Sequence, residues 1–312
     1  MEKAGPNISV IIPTQRRLGG LEVAVRSIIQ QSGVDLSDLE LVVVDNDQVP
    51  SAQSLADKLK ADAPFKLTYV HEPAPGVANA RNAAMAAARG RWIAFLDDDE
   101  EAPTGWLSAL LAVQTQFDAD VVFGPVRGRA PETTVAHKAY FEWFFSRLGP
   151  DKAQVLENYY GCGDSLIRRA ALPHPTAPFA VSRNHTGGED DLLFGQMKGN
   201  GAKFAWAPDA WVWEDPLPER LTLAYTFSRG FAYGQGPTEA AHAEGDWLGV
   251  IRWMIIGLGQ GGFNMLLAGA MALVGSKRTV FQLDYAIRCF GKTFWWGPFQ
   301  KTFYGLPAKT TP

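Results

Sequence analysis

Trp92-Ile-Ala-Phe-Leu-Asp-Asp-Asp-Glu100 joins five apolar residues directly to four acids. A short apolar run that stops at a polar edge reads as a buried strand. Working outward, Ile8 to Ile12, Leu41 to Val44 and Lys66 to Val70 are runs of the same kind. Between them lie helical stretches: Leu21 to Gln31, Ser51 to Lys60 and the Ala-rich Val77 to Arg89. Strands alternating with helices predict an α/β fold of βαβ units, right-handed crossovers and a mostly parallel sheet. The middle of the chain is less regular, with a helix expected from Gly105 to Phe117 and a strand from Asp120 to Gly124. No internal repeat or low-complexity linker interrupts it.

Open sheets of this kind bind ligands beyond the carboxyl ends of their strands. The first strand ends at Pro13-Thr14, the second at Asp45-Asn46-Asp47 and the fourth at Asp97-Asp98-Asp99. The connection after the third carries His71 and Gly76 into Arg81-Asn82. Carboxylates and an arginine are therefore expected on one rim. In an extended segment, residues i and i+2 share a side, so Asp97 and Asp99 are expected to address one ligand while Asp98 faces elsewhere. Hard oxygen donors of this type suit Mg²⁺ or Mn²⁺, whose shell substrate phosphates complete. The same acids also suit a solvated turn. Asp45-Asn46-Asp47 likewise fits either a turn after a strand or a ligand site. Arg81, near a helix start, is expected to pair with a carboxylate if structural, or to meet a phosphate or a base if functional. Glu189-Asp190-Asp191 follows two glycines and precedes an apolar helical run. It reads as an acidic N-cap, and equally as a rigidly mounted general base.

Composition narrows the class. The chain has 312 residues, 46% hydrophobic and 20% charged, with a net charge of -4; this gives no basis for nucleic-acid binding. Its ten Trp fit core packing more readily than sugar stacking. Two cysteines, Cys162 and Cys289, lack metal-like spacing and fit a reducing compartment. Met1 to Asn7 reads as polar, leading into the first strand without a signal peptide. A dinucleotide fingerprint is missing after the first strand, which continues Thr-Gln-Arg-Arg-Leu-Gly-Gly. Neither a P-loop nor a Gly-x-Ser-x-Gly elbow occurs, and the five scattered His offer no zinc site.

Together these segments resemble family-two glycosyltransferases of the GT-A fold. The resemblance rests on Ile8-Ser-Val-Ile-Ile-Pro-Thr14, Val42-Val-Val-Asp-Asn-Asp47, Gly76-Val-Ala-Asn-Ala-Arg-Asn82, Ile93-Ala-Phe-Leu-Asp-Asp-Asp-Glu100 and Gly187-Gly-Glu-Asp190. Asp-Asn-Asp, Asp-Asp-Asp-Glu and Gly124-Pro-Val are most similar to a bacterial subgroup that includes succinoglycan-type β-glucosyltransferases. The resemblance implies a nucleotide site of Pro13, Thr14, Asp45, Asn46, Arg81, Asp97 and Asp98, usually for UDP, with Asp45 reading the base. It implies Asp97 and Asp99 as the Asp-x-Asp pair, Asp99 being the direct ligand of Mn²⁺ or Mg²⁺. Asp190 matches the catalytic base, Glu189 addresses the acceptor, and Asp191 is the alternative base. Many relatives carry a metal-ligating His after a late strand; here the segment reads Trp211-Val-Trp-Glu-Asp-Pro216, leaving Glu214 as substitute ligand. The processive Gln-x-x-Arg-Trp motif is absent, which favours single addition.

The domain plan follows: residues 1–105 as the nucleotide-sugar-binding half, 106–218 as the acceptor and catalytic half of the same domain, and 219–312 as a helical, apolar and basic membrane-associated region. No charge interrupts Trp253 to Ser276, long enough for a span. Yet Gly257, Gly259, Gly261 and Gly262 predict a break into Trp247 to Leu258 and Phe263 to Val274. Each piece would reach only about 18 Å, short of the roughly 30 Å core, so a re-entrant or interfacial hairpin is favoured over one span or a buried soluble hairpin. From Lys277 onward, Lys277, Arg278, Arg288, Lys292, Lys301 and Lys309 face one acid, Asp284. With Phe290, Phe294, Trp295, Trp296, Phe299, Phe303 and Tyr304 they predict an interfacial segment. The expected enzyme is an inverting transferase at the cytoplasmic face of the inner membrane. It would move glucose or a related hexose from a UDP-sugar to a glycan acceptor, polyprenyl-diphosphate-linked, in exopolysaccharide or surface-glycan synthesis. The alternatives are a non-catalytic sugar-nucleotide-binding or scaffold subunit, and a nucleotidyltransferase, for which Arg16 and Arg17 are the only hint.

Overall fold

The computed structural model describes residues 7–134, 136–184 and 187–300. The chain runs through β1 (Ile8–Thr14), α1 (Leu18–Ile29), β2 (Leu39–Asp45), α2 (Gln53–Asp62), β3 (Lys66–His71), α3 (Val77–Ala87), β4 (Trp92–Phe95), β5 (Glu100–Glu101), α4 (Trp106–Phe117), β6 (Val121–Phe123) and β7 (Val126–Gly128). There follow α5 (Lys138–Phe144), β8 (Gln154–Leu156), β9 (Ser165–Arg168), α6 (Glu189–Gly199), β10 (Phe204–Trp206), β11 (Val212–Glu214), α7 (Leu223–Ala243), α8 (Trp247–Leu273) and α9 (Thr279–Thr293). The described residues form two compact units, one of 7–129 with 145–215, the other of 130–144 with 216–300.

In the first unit an eight-stranded sheet has the order β3-β2-β1-β4-β9-β6-β10-β8. The pairs among β3, β2, β1 and β4 are parallel, as is β6 with β10. β9 enters antiparallel between β4 and β6, and β8 closes the far edge antiparallel to β10. The sheet is thus mixed and mostly parallel. Alternation along the strands divides the core into two layers. Val10, Ile12, Leu41, Val43 and Ala94 pack with Leu21, Leu59, Trp106 and Leu110 of α1, α2 and α4. Ile11, Val42, Val44, Ile93 and Phe95 pack with Ala84 and Met85 of α3 and Leu193 and Phe194 of α6. Each Val, Leu, Ile, Phe or Met among them, fully buried, contributes about 1.5–3 kcal/mol. A smaller sheet, β5-β11-β7, lies at the end of the acidic run.

In the second unit α9 folds back along α8. The predicted break in α8 does not occur: it is one helix of 27 residues. Its glycines serve close packing. A Cβ on Gly257 would lie 2.5 Å from the Cys289 carbonyl oxygen, and one on Gly261 would lie 2.7 Å from the Phe290 ring. The antiparallel partner of α8 is α9, not its own second half. Arg288, one of the basic residues counted toward the interfacial segment, is held inside the unit. It pairs with the buried Asp284 and lies over the rings of Trp143, Phe144 and Tyr233. Tyr140 donates to the other Asp284 oxygen at 3.0 Å. Lys301, Phe303, Tyr304 and Lys309 lie outside the described residues.

Candidate active site

The acids after β4 form a turn, closed by the Glu100 amide donating to the Asp97 carbonyl at 3.0 Å. The segment is a turn rather than the extended run expected, yet Asp98 and Glu100 are buried while Asp97 and Asp99 are each half-buried. Asp98 and Asp99 share one cation: Nη1 of Arg17 lies 3.0 Å from Asp98 Oδ1 and 2.6 Å from Asp99 Oδ2. Asp98 is buried and accepts the Thr14 hydroxyl at 2.7 Å. Asp97 instead faces Arg81, 3.7 Å away, with 37% of its side chain exposed.

At the ends of β1 and β2 the predicted residues are largely engaged by the protein. Asp45 accepts the Tyr69 hydroxyl at 2.8 Å and the Ala52 amide at 2.7 Å, just before α2. Asn46 donates to the carbonyls of Glu72 and Ala74 and accepts from the Gly76 amide, so it fixes the approach to α3. Asp47 receives a two-pronged contact from Arg16 at 2.8 and 2.6 Å. Pro13 is half-buried at the end of β1.

Arg81 satisfies its structural reading without losing the other. Its guanidinium is buried, pairs with Glu189 and stands 6.0 Å from the Phe95 ring centre and 5.6 Å from that of Phe179. It thereby connects the acidic turn to the start of α6. The acids there are first-turn residues rather than an N-cap; Gly188, at φ 82°, occupies the cap. Carboxylates still suit that position electrostatically. Asp190 accepts from the Cys162 amide at 3.0 Å, whereas Asp191 is exposed. Glu214 sits on β11 opposite Glu100 of β5, and the next amide, Asp215, donates to the Asp99 carbonyl at 2.8 Å. Two residues had no signal in sequence. Arg147 donates to the carbonyls of Gly124, Gly161, Gly163 and Asp164. Asp164 is buried and accepts from Trp106 Nε1 at 2.7 Å.

Negative charge accumulates here. Burial pushes Asp98 up to about 6, against the pull of Arg17. Glu100 rises well above the ordinary range through burial and then Asp97. Asp97 rises through desolvation first, opposed by Arg81 and reinforced by Asp99. A Cβ on Gly163 would meet Asp97 Oδ2 at 2.8 Å, so the backbone there passes close to that carboxylate. Among the described residues no three acids, His or Cys converge on one cation position. Two hard-oxygen side chains, Asp97 and Asp99, suit a divalent cation that takes its other ligands from phosphates.

Asp164 yields a pH prediction. Burial raises its carboxyl from 3.8 to about 7, so the folded protein keeps a proton that the unfolded chain releases. Its contribution to stability falls as pH climbs through that interval. Asp164→Asn, which does not titrate, should gain melting temperature relative to the parent as pH rises from ~4 to ~7, the gain levelling off above that. A pH-independent difference in thermal melts would exclude a neutral, buried Asp164.

The mixed, mostly parallel sheet with polar residues gathered at its strand ends agrees with the GT-A fold that the sequence resemblance implies. The profile of glycosyl transferase family 2 matches residues 9–174, and the chain belongs to that family. It is 34% identical over 230 residues to the succinoglycan biosynthesis protein ExoM of Rhizobium meliloti (strain 1021), covering 73% of each chain. It is 36% identical over 107 residues to a GalNAc(5)-diNAcBac-PP-undecaprenol beta-1,3-glucosyltransferase of Campylobacter jejuni, covering 34% of each. Among solved structures, S. aureus TarS 1-349 in complex with UDP superimposes with a TM-score of 0.53 at 15% identity, covering 92% of this chain and 91% of that one. That likeness supports the fold alone. Glu189 and Asp190 lie beyond the family-profile match.

Proposed function

We propose that this glycosyltransferase moves a hexose from a UDP-sugar to a glycan acceptor by a single inverting displacement. Thr14, Asp45, Arg81, Asp97 and Asp98 hold the nucleotide in this reading, and Asp97 and Asp99 hold Mn²⁺ or Mg²⁺. Such an ion, when bound, neutralises charge on the diphosphate leaving group. Asp190 takes the proton of the attacking hydroxyl, Asp191 being the alternative, and Glu189 orients the acceptor side. Glu214 stands near the Asp99 backbone as a further oxygen donor. The observation that carries the proposal is the Arg81 bridge, which sets donor-side Asp97 beside Glu189, the residue next to the base.

The named relatives act in succinoglycan biosynthesis and on an undecaprenol-diphosphate-linked glycan; exopolysaccharide or surface-glycan synthesis on a polyprenyl-diphosphate-linked acceptor is the corresponding proposal here. The cytoplasmic membrane face is the place proposed for the chain, and α8 supports the membrane contact. Its Leu248 is 81% exposed, Leu266 78% and Leu273 91%, and polar Asn264 is turned to Gln282 of α9. By length and composition α8 also suffices to cross a membrane. Titration calorimetry with UDP-glucose, UDP-galactose, UDP-GlcNAc and GDP-mannose, with and without Mn²⁺, tests the donor. Binding of a UDP-hexose, strengthened by Mn²⁺ and lost in Asp97→Asn, is expected. No heat with any nucleotide sugar would overturn the proposal.

A further inference from the structure

We infer that Arg147 positions the Asp190 carboxylate through a single peptide group. The inference rests on Asp190 being the base. Arg147 Nη1 donates to the Gly161 carbonyl at 3.0 Å, and the Cys162 amide donates to Asp190 Oδ2 at 3.0 Å. That carbonyl and that amide belong to the same planar peptide, whose C=O and N–H point in opposite directions. The guanidinium pulls on one end and the carboxylate is gripped at the other; polarisation along such a chain strengthens both bonds. Nη2 reaches the carbonyls of Gly163 at 2.7 Å, Gly124 at 3.0 Å and Asp164 at 3.2 Å, so the whole 161–164 turn is fixed about one side chain. Arg147 itself is anchored by paired backbone bonds with Val126 at 3.0 and 2.8 Å.

Glycine at 161 is part of the device. A Cβ there would lie 3.3 Å from Asp190 Oδ2 and 3.6 Å from Arg147 Nη1, so a side chain would press on the carboxylate. The second Asp190 oxygen accepts the Asp191 amide at 3.0 Å. Both oxygens are thus directed by backbone, and the proton-accepting lone pairs point where the turn and the first turn of α6 leave them.

A double-mutant cycle tests the inference. Arg147→Met should lower the transfer kcat by about 10–100-fold, the scale of a misplaced catalytic group, with donor Kd within about twofold of the parent. Arg147→Lys should recover part of the rate. In an Asp190→Asn background, Arg147→Met should change the residual single-turnover rate by less than about twofold, because its route of action is gone. Gly161→Ala, which leaves Arg147 in place, should lower kcat about tenfold or more. It serves as the independent variant if Arg147→Met does not fold. Multiplicative losses in the cycle, or full rates in both Arg147→Met and Gly161→Ala while Asp190→Asn is inactive, would overturn the inference alone. Full activity in Asp190→Asn would overturn the base assignment with it.

Discussion

Asp190→Asn should lower sugar transfer by about 10²–10⁴-fold, the usual loss on removing a positioned base, while UDP-sugar binding stays intact. The acceptor hydroxyl becomes a nucleophile only as its proton leaves, and an amide cannot accept it. Asp190 suits the task because the Cys162 and Asp191 amides orient its two oxygens. Its placement in the first turn of α6 favours a negative charge. The isosteric amide preserves volume, so calorimetry should return an unchanged donor affinity. Asp191→Asn is the contrast: the side chain is exposed, and a loss below about fivefold is expected for a group outside the proton transfer. The check is UDP release in the presence of acceptor. Transfer within tenfold of the parent by Asp190→Asn would remove this residue from the mechanism, and a reversed order of the two variants would pass the role to Asp191.

Arg81→Met should be the most destabilising change in the site. The guanidinium is buried against Glu189 and near Asp97. Its removal strands a carboxylate that is only 4% exposed. Breaking a buried pair on one side costs about 3–5 kcal/mol. For a unit of this size that lowers Tm by about 10 °C. Arg81→Met combined with Glu189→Leu replaces the pair by apolar groups and should recover most of the stability, without recovering UDP affinity. Thermal denaturation and calorimetry of the three variants separate the roles. A Tm within 2 °C of the parent for Arg81→Met would contradict the buried ion pair, and retained UDP affinity in the double variant would show that Arg81 serves the fold alone.

The strands β1 to β4 were legible because each is a short, largely apolar run, β-branched in β1 and β2, that stops at polar side chains; observed ends differ from expected ones by at most two residues. The mostly parallel character followed from alternation alone. Strands of two to four residues carry little pattern of their own; β5 to β11 are all of that kind, and of these only β6 was expected, as Asp120 to Gly124. The antiparallel entry of β9 was invisible for this reason. Within the site, residue types were readable at Asp97, Asp99, Arg81 and Asp190, but their partners were not. Arg17 holds Asp99 across 82 positions, and Arg81 reaches Glu189 across 108. The glycines of α8 misled because a helix breaker and a helix-packing surface have the same composition. Only the partner, α9, distinguishes them.

β9 has a bearing on how tightly the catalytic geometry can be inherited. Phe95 of β4 pairs with Ser165 of β9. Asp97 leaves one strand two residues later, and the turn holding Asp190 enters the other just before. The offset between Asp97 and the Cys162 amide that grips Asp190 is therefore set by the register of one ladder. A single inserted residue in β9 would slide that turn by about 3.3 Å and reverse its facing. An insertion in the loops around this seam leaves that register untouched, whereas one within it does not.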